Sequence, residues 1–186
     1  MTMPTKRVKL IVGTTLILLS VSYPFLLYFA REQIDFRYLL LLMLGLWLAR
    51  SWWQKNKAQQ IISYVISIFL ACSWLIGNEN LMYWYPVLIN GTMLFVFAMS
   101  LFSAQSMVER FARLQYPDLP SEGVRYTRTV TKIWLGFFVF NCTVTIALIY
   151  INKHYWAIYT GLISYFFMGC LFFIEWCYRK FKLKVN

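Results

Sequence analysis

The residues best suited to chemistry with soluble molecules lie in one stretch, MVERFARLQYPDLPSEGVRYTRTVTK, from Met107 to Lys132. It holds five basic residues, three acidic residues and two prolines, in a chain that is 60% hydrophobic. Ser106-Met107-Val108-Glu109 fits the S-x-x-E capping box, in which a hydroxyl and a carboxylate each satisfy an unpaired N–H at a helix start. At about 100° per residue, Met107, Val108, Phe111, Leu114 and Gln115 fall on one side of that helix. Glu109, Arg110 and Arg113 fall on the other, with Glu109 and Arg113 at a favourable i,i+4 spacing. Pro117 and Pro120 end the segment. The pattern predicts an amphipathic helix of about ten residues lying at a membrane surface with its apolar side down. Beyond Gly123 a helix can resume, and there Arg125, Arg128 and Lys132 form one basic stripe at i, i+3 and i+7. With Arg110 or Arg113 nearby, that stripe could hold a phosphate or a carboxylate, because a planar guanidinium matches both. The plainer alternative is that these five groups set topology and touch lipid headgroups.

Two amides are expected inside the membrane, Asn90 and Asn141. At ~1.5 Å per residue both fall ~14 to 15 Å below the outer surface. An unpaired amide in hydrocarbon is costly, so the two are expected to face the protein interior and bond each other or nearby backbone. Gly91, beside Asn90, would permit close approach of a neighbouring helix. Glu175 sits four residues before Arg179, a stabilising pair. Cys72, Cys142, Cys170 and Cys177 form no C-x-x-C pair and read as small apolar packing residues. The single histidine, His154, reads as a surface residue. With one histidine, the chain cannot hold iron as membrane desaturases do, and no acid follows it at the spacing of a His-x4-Asp acyltransferase. No Gly-x-Ser-x-Gly elbow and no phosphate-cradling glycine loop is present. No metal or cofactor is called for.

The elements that must position these residues are apolar helices. Charges cluster between long apolar runs, and about 20 apolar residues in a helix cross the ~30 Å hydrocarbon layer. Six spans are predicted, at about 10–30, 36–53, 60–76, 81–102, 133–151 and 155–177, with a polar loop at 103–132. Helix is the state that satisfies each segment's own backbone in lipid. The fold class is therefore an all-α membrane protein, a six-helix bundle in a single domain spanning 1–186. Lys6, Arg7 and Lys9 precede the first run, as in a signal peptide. However, Ser20-Val21-Ser22-Tyr23-Pro24 is no small-x-small cleavage site, and a retained helix with a kink at Pro24 is expected. Fifteen of the 18 basic residues fall in alternate connections: the N-terminus, the loop of Arg50, Lys55 and Lys57, the 103–132 loop and the tail from Arg179 to Lys184. Only Arg31, Arg37 and Lys153 fall in the others. This bias predicts that both termini and the 103–132 loop are cytoplasmic. The formal charge of +11 is thus a topology signal rather than a mark of nucleic-acid binding. Aromatic residues near the span ends, Trp52, Trp53, Tyr83 to Tyr85, Trp134, Tyr155, Trp156, Trp176 and Tyr178, suit membrane anchors. Gly77-Asn78-Glu79-Asn80 reads as a turn between helices.

The segments YWYPVLIN (Tyr83 to Asn90), VERFARLQYPDLPSEGVRYTRTVTKIW (Val108 to Trp134), FFVFN (Phe137 to Asn141) and YTGLISYFFMG (Tyr159 to Gly169) carry a resemblance. They look like a family of small bacterial inner-membrane proteins, some of them labelled ketosynthase, over about residues 80 to 179. Cys142 departs from that pattern, which has Gly after the Asn. The label does not suit the chemistry, because ketosynthases are soluble α/β enzymes with a Cys nucleophile. The resemblance implies a place beside acyl carrier proteins and other soluble enzymes of aryl-polyene-type lipid synthesis. Three functions compete: a non-enzymatic accessory protein whose basic loop docks acidic partners, a lipid or polyene translocator of six helices alone or as a homodimer, and an integral transferase working around Tyr116 to Arg128. The partners expected are membrane lipids and soluble lipid-synthesis proteins.

Overall fold

The computed structural model describes residues 6–29, 35–54 and 57–182. Arg31, Lys55 and Lys184 lie outside the described residues. The described chain is helical with no strand: α1 (Lys6–Phe29), α2 (Phe36–Trp53), α3 (Lys57–Ile76), α4 (Tyr85–Leu101), α5 (Met107–Gln115), α6 (Ser121–Ile151), α7 (Lys153–Ile158) and α8 (Ser164–Lys182). A 3-10 segment, Glu79–Trp84, leads into α4, and a π-helical turn, Tyr159–Ile163, joins α7 to α8. Four stretches are long and apolar enough to cross a membrane: Gln59–Ile76, Asn80–Leu101, Ser121–Ile151 and Lys153–Arg179. Helices α1 and α2 coincide closely with the first two expected spans but are not among those four. In α2, Arg37 and Arg50 sit near its two ends and dilute a short apolar run.

Local chemistry explains the boundaries. The Asp35 carboxylate accepts the Arg37 N–H at 2.9 Å and starts α2. Gly77 adopts φ +67° just past α3, a conformation that costs glycine little, and its N–H reaches the Ser73 carbonyl at 3.2 Å. The Asn78 side chain then accepts from Asn80 N–H at 3.0 Å, so the expected turn is formed. Asn152 caps α7 by accepting from the N–H groups of His154 and Tyr155. Helix α1 runs through Pro24, which is buried.

The described residues form two compact units. One takes in Met1–Tyr85 and Ile149–Leu162, the other Pro86–Leu148 and Ile163–Asn186. In the first, α2 packs on α3, and α1 packs on α2 and α7. Ser63, Ile66, Ser67, Leu70 and Ser73 make the buried stripe of α3, at helical spacing. The serine hydroxyls donate back to their own helix, Ser63 to Gln59 O, Ser67 to Ser63 O and Ser73 to Phe69 O, so they are buried without needing a partner across the interface. Tyr83 and Trp156 meet edge to face at 4.8 Å, both nearly inaccessible. These two are packed against each other inside the unit, not at the surface as anchors. Trp134 is also buried, whereas Trp52, Tyr155, Trp176 and Tyr178 are exposed. A Cβ added to Gly161 would collide with the Phe25 ring, so glycine is needed there.

The second unit has an aromatic core of Phe97, Val130, Trp134, Phe137 and Phe138. Phe97 meets Phe138 at 5.2 Å and Trp134 meets Phe172 at 4.7 Å. Gly91 faces open space, so the expected close helix approach there does not occur.

Candidate functional site

The polar stretch becomes α5, a short connection and the first three turns of α6. Helix resumes at Ser121, so Arg125, Arg128 and Lys132 do share one helix. The expected capping box is not formed. Ser106 occupies the N-cap position but makes no capping bond, and its buried hydroxyl has no partner among the described residues. Two other helices supply the acceptors instead: Met107 N–H donates to Ser100 Oγ at 2.9 Å and Val108 N–H to Thr131 Oγ1 at 3.3 Å. Glu109 is therefore released from capping, and it is 3% exposed rather than on a solvent side. Its carboxylate accepts from Arg113 Nε at 2.9 Å. A buried carboxylate without that partner would be costly. Met107 and Val108 pack against the aromatic core, while Phe111 and Leu114 stay exposed, Leu114 by 81%.

The five basic residues divide by what they bond. Arg113 holds Glu109 and also donates to Pro117 O at 2.8 Å. Arg110 donates to Gln105 O and to Ser103 Oγ, at 3.2 and 2.9 Å. Arg128 donates to Leu101 O at 2.7 Å and so satisfies a carbonyl at the end of α4. Arg110 and Arg128 thus stabilise the turn between α4 and α5, and Arg113 secures α5 and the chain leaving it. The side chains of Arg125 and Lys132 are exposed and make no hydrogen bond or ion pair among the described residues. Seven residues apart on α6, they lie on one side about 10 Å apart along the helix axis.

Asn90 and Asn141 are brought together. Asn141 Nδ2 donates to Asn90 Oδ1 at 2.8 Å, and Asn90 Nδ2 donates to Pro86 O at 2.8 Å. Asn141 is 3% exposed, and its own Oδ1 accepts nothing among the described residues. The pair ties α4 to α6 in register; a polar contact of this kind between apolar helices is worth ~0.6 to 2 kcal/mol.

A cavity of about 590 Å³ lies wholly within the second unit, between the first half of α6 and the second half of α8. Sequence reasoning missed it. Its apolar end has Val130, Ile133, Trp134, Leu171 and Ile174; its polar mouth carries Glu122, Arg125, Tyr126, Thr129, Glu175 and Tyr178. Tyr126 and Tyr178 stack at 5.5 Å with rings 6° from parallel. Tyr126 OH donates to Glu175 Oε1 at 3.4 Å, and Arg179 Nε lies 3.7 Å from the same oxygen, which realises the expected Glu175 and Arg179 pair. The signal in the sequence was one helix face on which Glu122, Arg125, Tyr126 and Thr129 give way to Val130, Ile133 and Trp134.

Cys72, Cys142, Cys170 and Cys177 form no disulfide, and no group of three metal-ligating side chains occurs among the described residues. His154 is exposed, in the first turn of α7 rather than in a loop. No family model, no curated protein and no solved structure matches this chain.

Proposed function

We propose that this chain is a non-enzymatic accessory protein of the bacterial inner membrane, with six spans and both termini cytoplasmic, that docks an acidic soluble partner through α6. The charge bias of the connections supports the orientation, and the resemblance over residues 80 to 179 supports a place in aryl-polyene-type lipid synthesis, with an acyl carrier protein as the partner. One observation carries the docking role. Arg125 and Lys132 are exposed, unpaired and on one side of a helix, while Arg110, Arg113 and Arg128 are occupied by internal bonds. Two unneutralised cations on a rigid helix suit an acidic protein surface, where they steer encounter and fix register. The bonded Asn90 and Asn141 pair gives no such support to a translocation path.

The test is co-purification of an acyl carrier protein with the full chain carrying Arg125→Glu and Lys132→Glu together. The reading expects co-purification to be lost. Retained co-purification removes it. Arg128→Glu is the wrong probe, because it breaks the bond to Leu101 O and disturbs the turn itself.

A further inference from the structure

The cavity between α6 and α8 has the build of a site for one lipid. Its apolar end is partly open, as Ile133 and Ile174 are more than half exposed. Its wall is stiff, because Trp134 is held between Phe137, Phe138 and Phe172. Polarity changes once along its length, from the charged mouth at Glu122 and Arg125 to the apolar end at Val130 and Trp134. An amphiphile with its chain inward matches that gradient, and a cavity of this size is in the usual range for ligand sites, ~300 to 1,000 Å³.

The charges at the mouth select the head. Glu175 is already engaged by Tyr126 and Arg179. The side chains of Glu122 and Arg125, one anion and one cation a turn apart, make no hydrogen bond or ion pair among the described residues. A purely anionic head would gain from Arg125 but would meet Glu122 and Glu175. A head with both signs can satisfy Arg125 through a phosphate and Glu122 through an ammonium. We propose that this slot binds a zwitterionic phospholipid of the phosphoethanolamine type, with one acyl chain along Ile133, Trp134 and Ile174 and the head between Arg125 and Glu122.

The site needs the protein to be in a membrane but does not need the docking role proposed above. Arg125 serves both, so the test uses residues that serve one. The full chain is purified in detergent, and native mass spectrometry follows added dioleoyl phosphatidylethanolamine and dioleoyl phosphatidylglycerol. The slot predicts one retained phosphatidylethanolamine, about tenfold tighter than phosphatidylglycerol, the ratio one good charge contact gives. Glu122→Arg should invert that preference. Ile174→Trp or Thr129→Trp should fill the slot and abolish retention, with helical circular dichroism unchanged. Lys132→Glu should leave lipid retention unchanged while weakening any docking. Equal retention of the two lipids, or undiminished retention in both filled variants, overturns the proposal.

Discussion

The buried serine stripe of α3 and the polar groups shared among α4, α5, α6 and α8 solve the same problem, polar groups inside an apolar helical protein, in opposite ways. In the first, buried serines on α3 return their hydroxyls to their own helix, and α2 packs against them. Small side chains with no outstanding bonds let backbones approach, and the packing is the adhesive. In the second, polar groups cross between elements: Asn141 to Asn90, Val108 N–H to Thr131, Arg128 to Leu101 O and Tyr126 to Glu175. Aromatic rings fill the wider gaps. The difference teaches that self-bonded polar residues give proximity, whereas cross-bonded ones give register. Register is what a surface needs if it is to hold charges in fixed places.

Breaking the cross-bonded unit should cost most where a charge is left behind. Arg113→Ala strands the Glu109 carboxylate, 4% exposed at its side chain. Because Arg113 itself is 29% exposed, the loss should be about 2 to 3 kcal/mol, at the low end for a broken buried pair, measured by thermal unfolding in detergent. Glu109→Gln should cost less, since an amide can stay hydrogen-bonded. Next comes overfilling of the self-bonded unit. Ser67→Leu puts a bulky group where α3 is packed, and about 1 to 3 kcal/mol should be lost. Asn141→Leu should cost about 1 kcal/mol, and adding Asn90→Leu should cost little more, since the bond is already gone. A double-mutant cycle giving fully additive losses would show that the bond contributes nothing. The smallest effect sharpens the contrast: Ser67→Ala should change stability by no more than about 0.5 kcal/mol, because its hydroxyl bonds only its own helix. A large loss there would mean that the hydroxyl reaches across the interface.

What could be read in the residues was what local physics governs. The apolar runs placed α2 within its observed bounds, and Gly77 and Asn78 marked the turn after α3. The Glu109–Arg113 and Glu175–Arg179 pairs followed from i,i+4 spacing. The joining of Asn90 and Asn141 was legible because an amide in an apolar segment must find a partner, and their depths matched. The capping of α5 was not legible. Ser100 and Thr131 lie 7 and 23 residues from the N–H groups they accept from, and no motif records such distances. The cavity was hidden for the same reason, as Tyr126 and Glu175 are 49 residues apart. Burial of Tyr83 and Trp156 was masked by composition, since an aromatic at a span end looks alike whether it faces lipid or a neighbouring ring. The serine stripe of α3 was visible at its spacing, but small residues draw attention only once a packed helix is seen beside them.

The central claim is that the surface carrying Arg125 and Lys132 faces the cell interior. The direct measurement is labelling of a single cysteine at Gln115→Cys, an exposed position at the end of α5, with Cys72, Cys142, Cys170 and Cys177 replaced by alanine. A membrane-impermeant maleimide should label it only after the cells are broken open. Labelling in intact cells would place that surface outside and contradict the account.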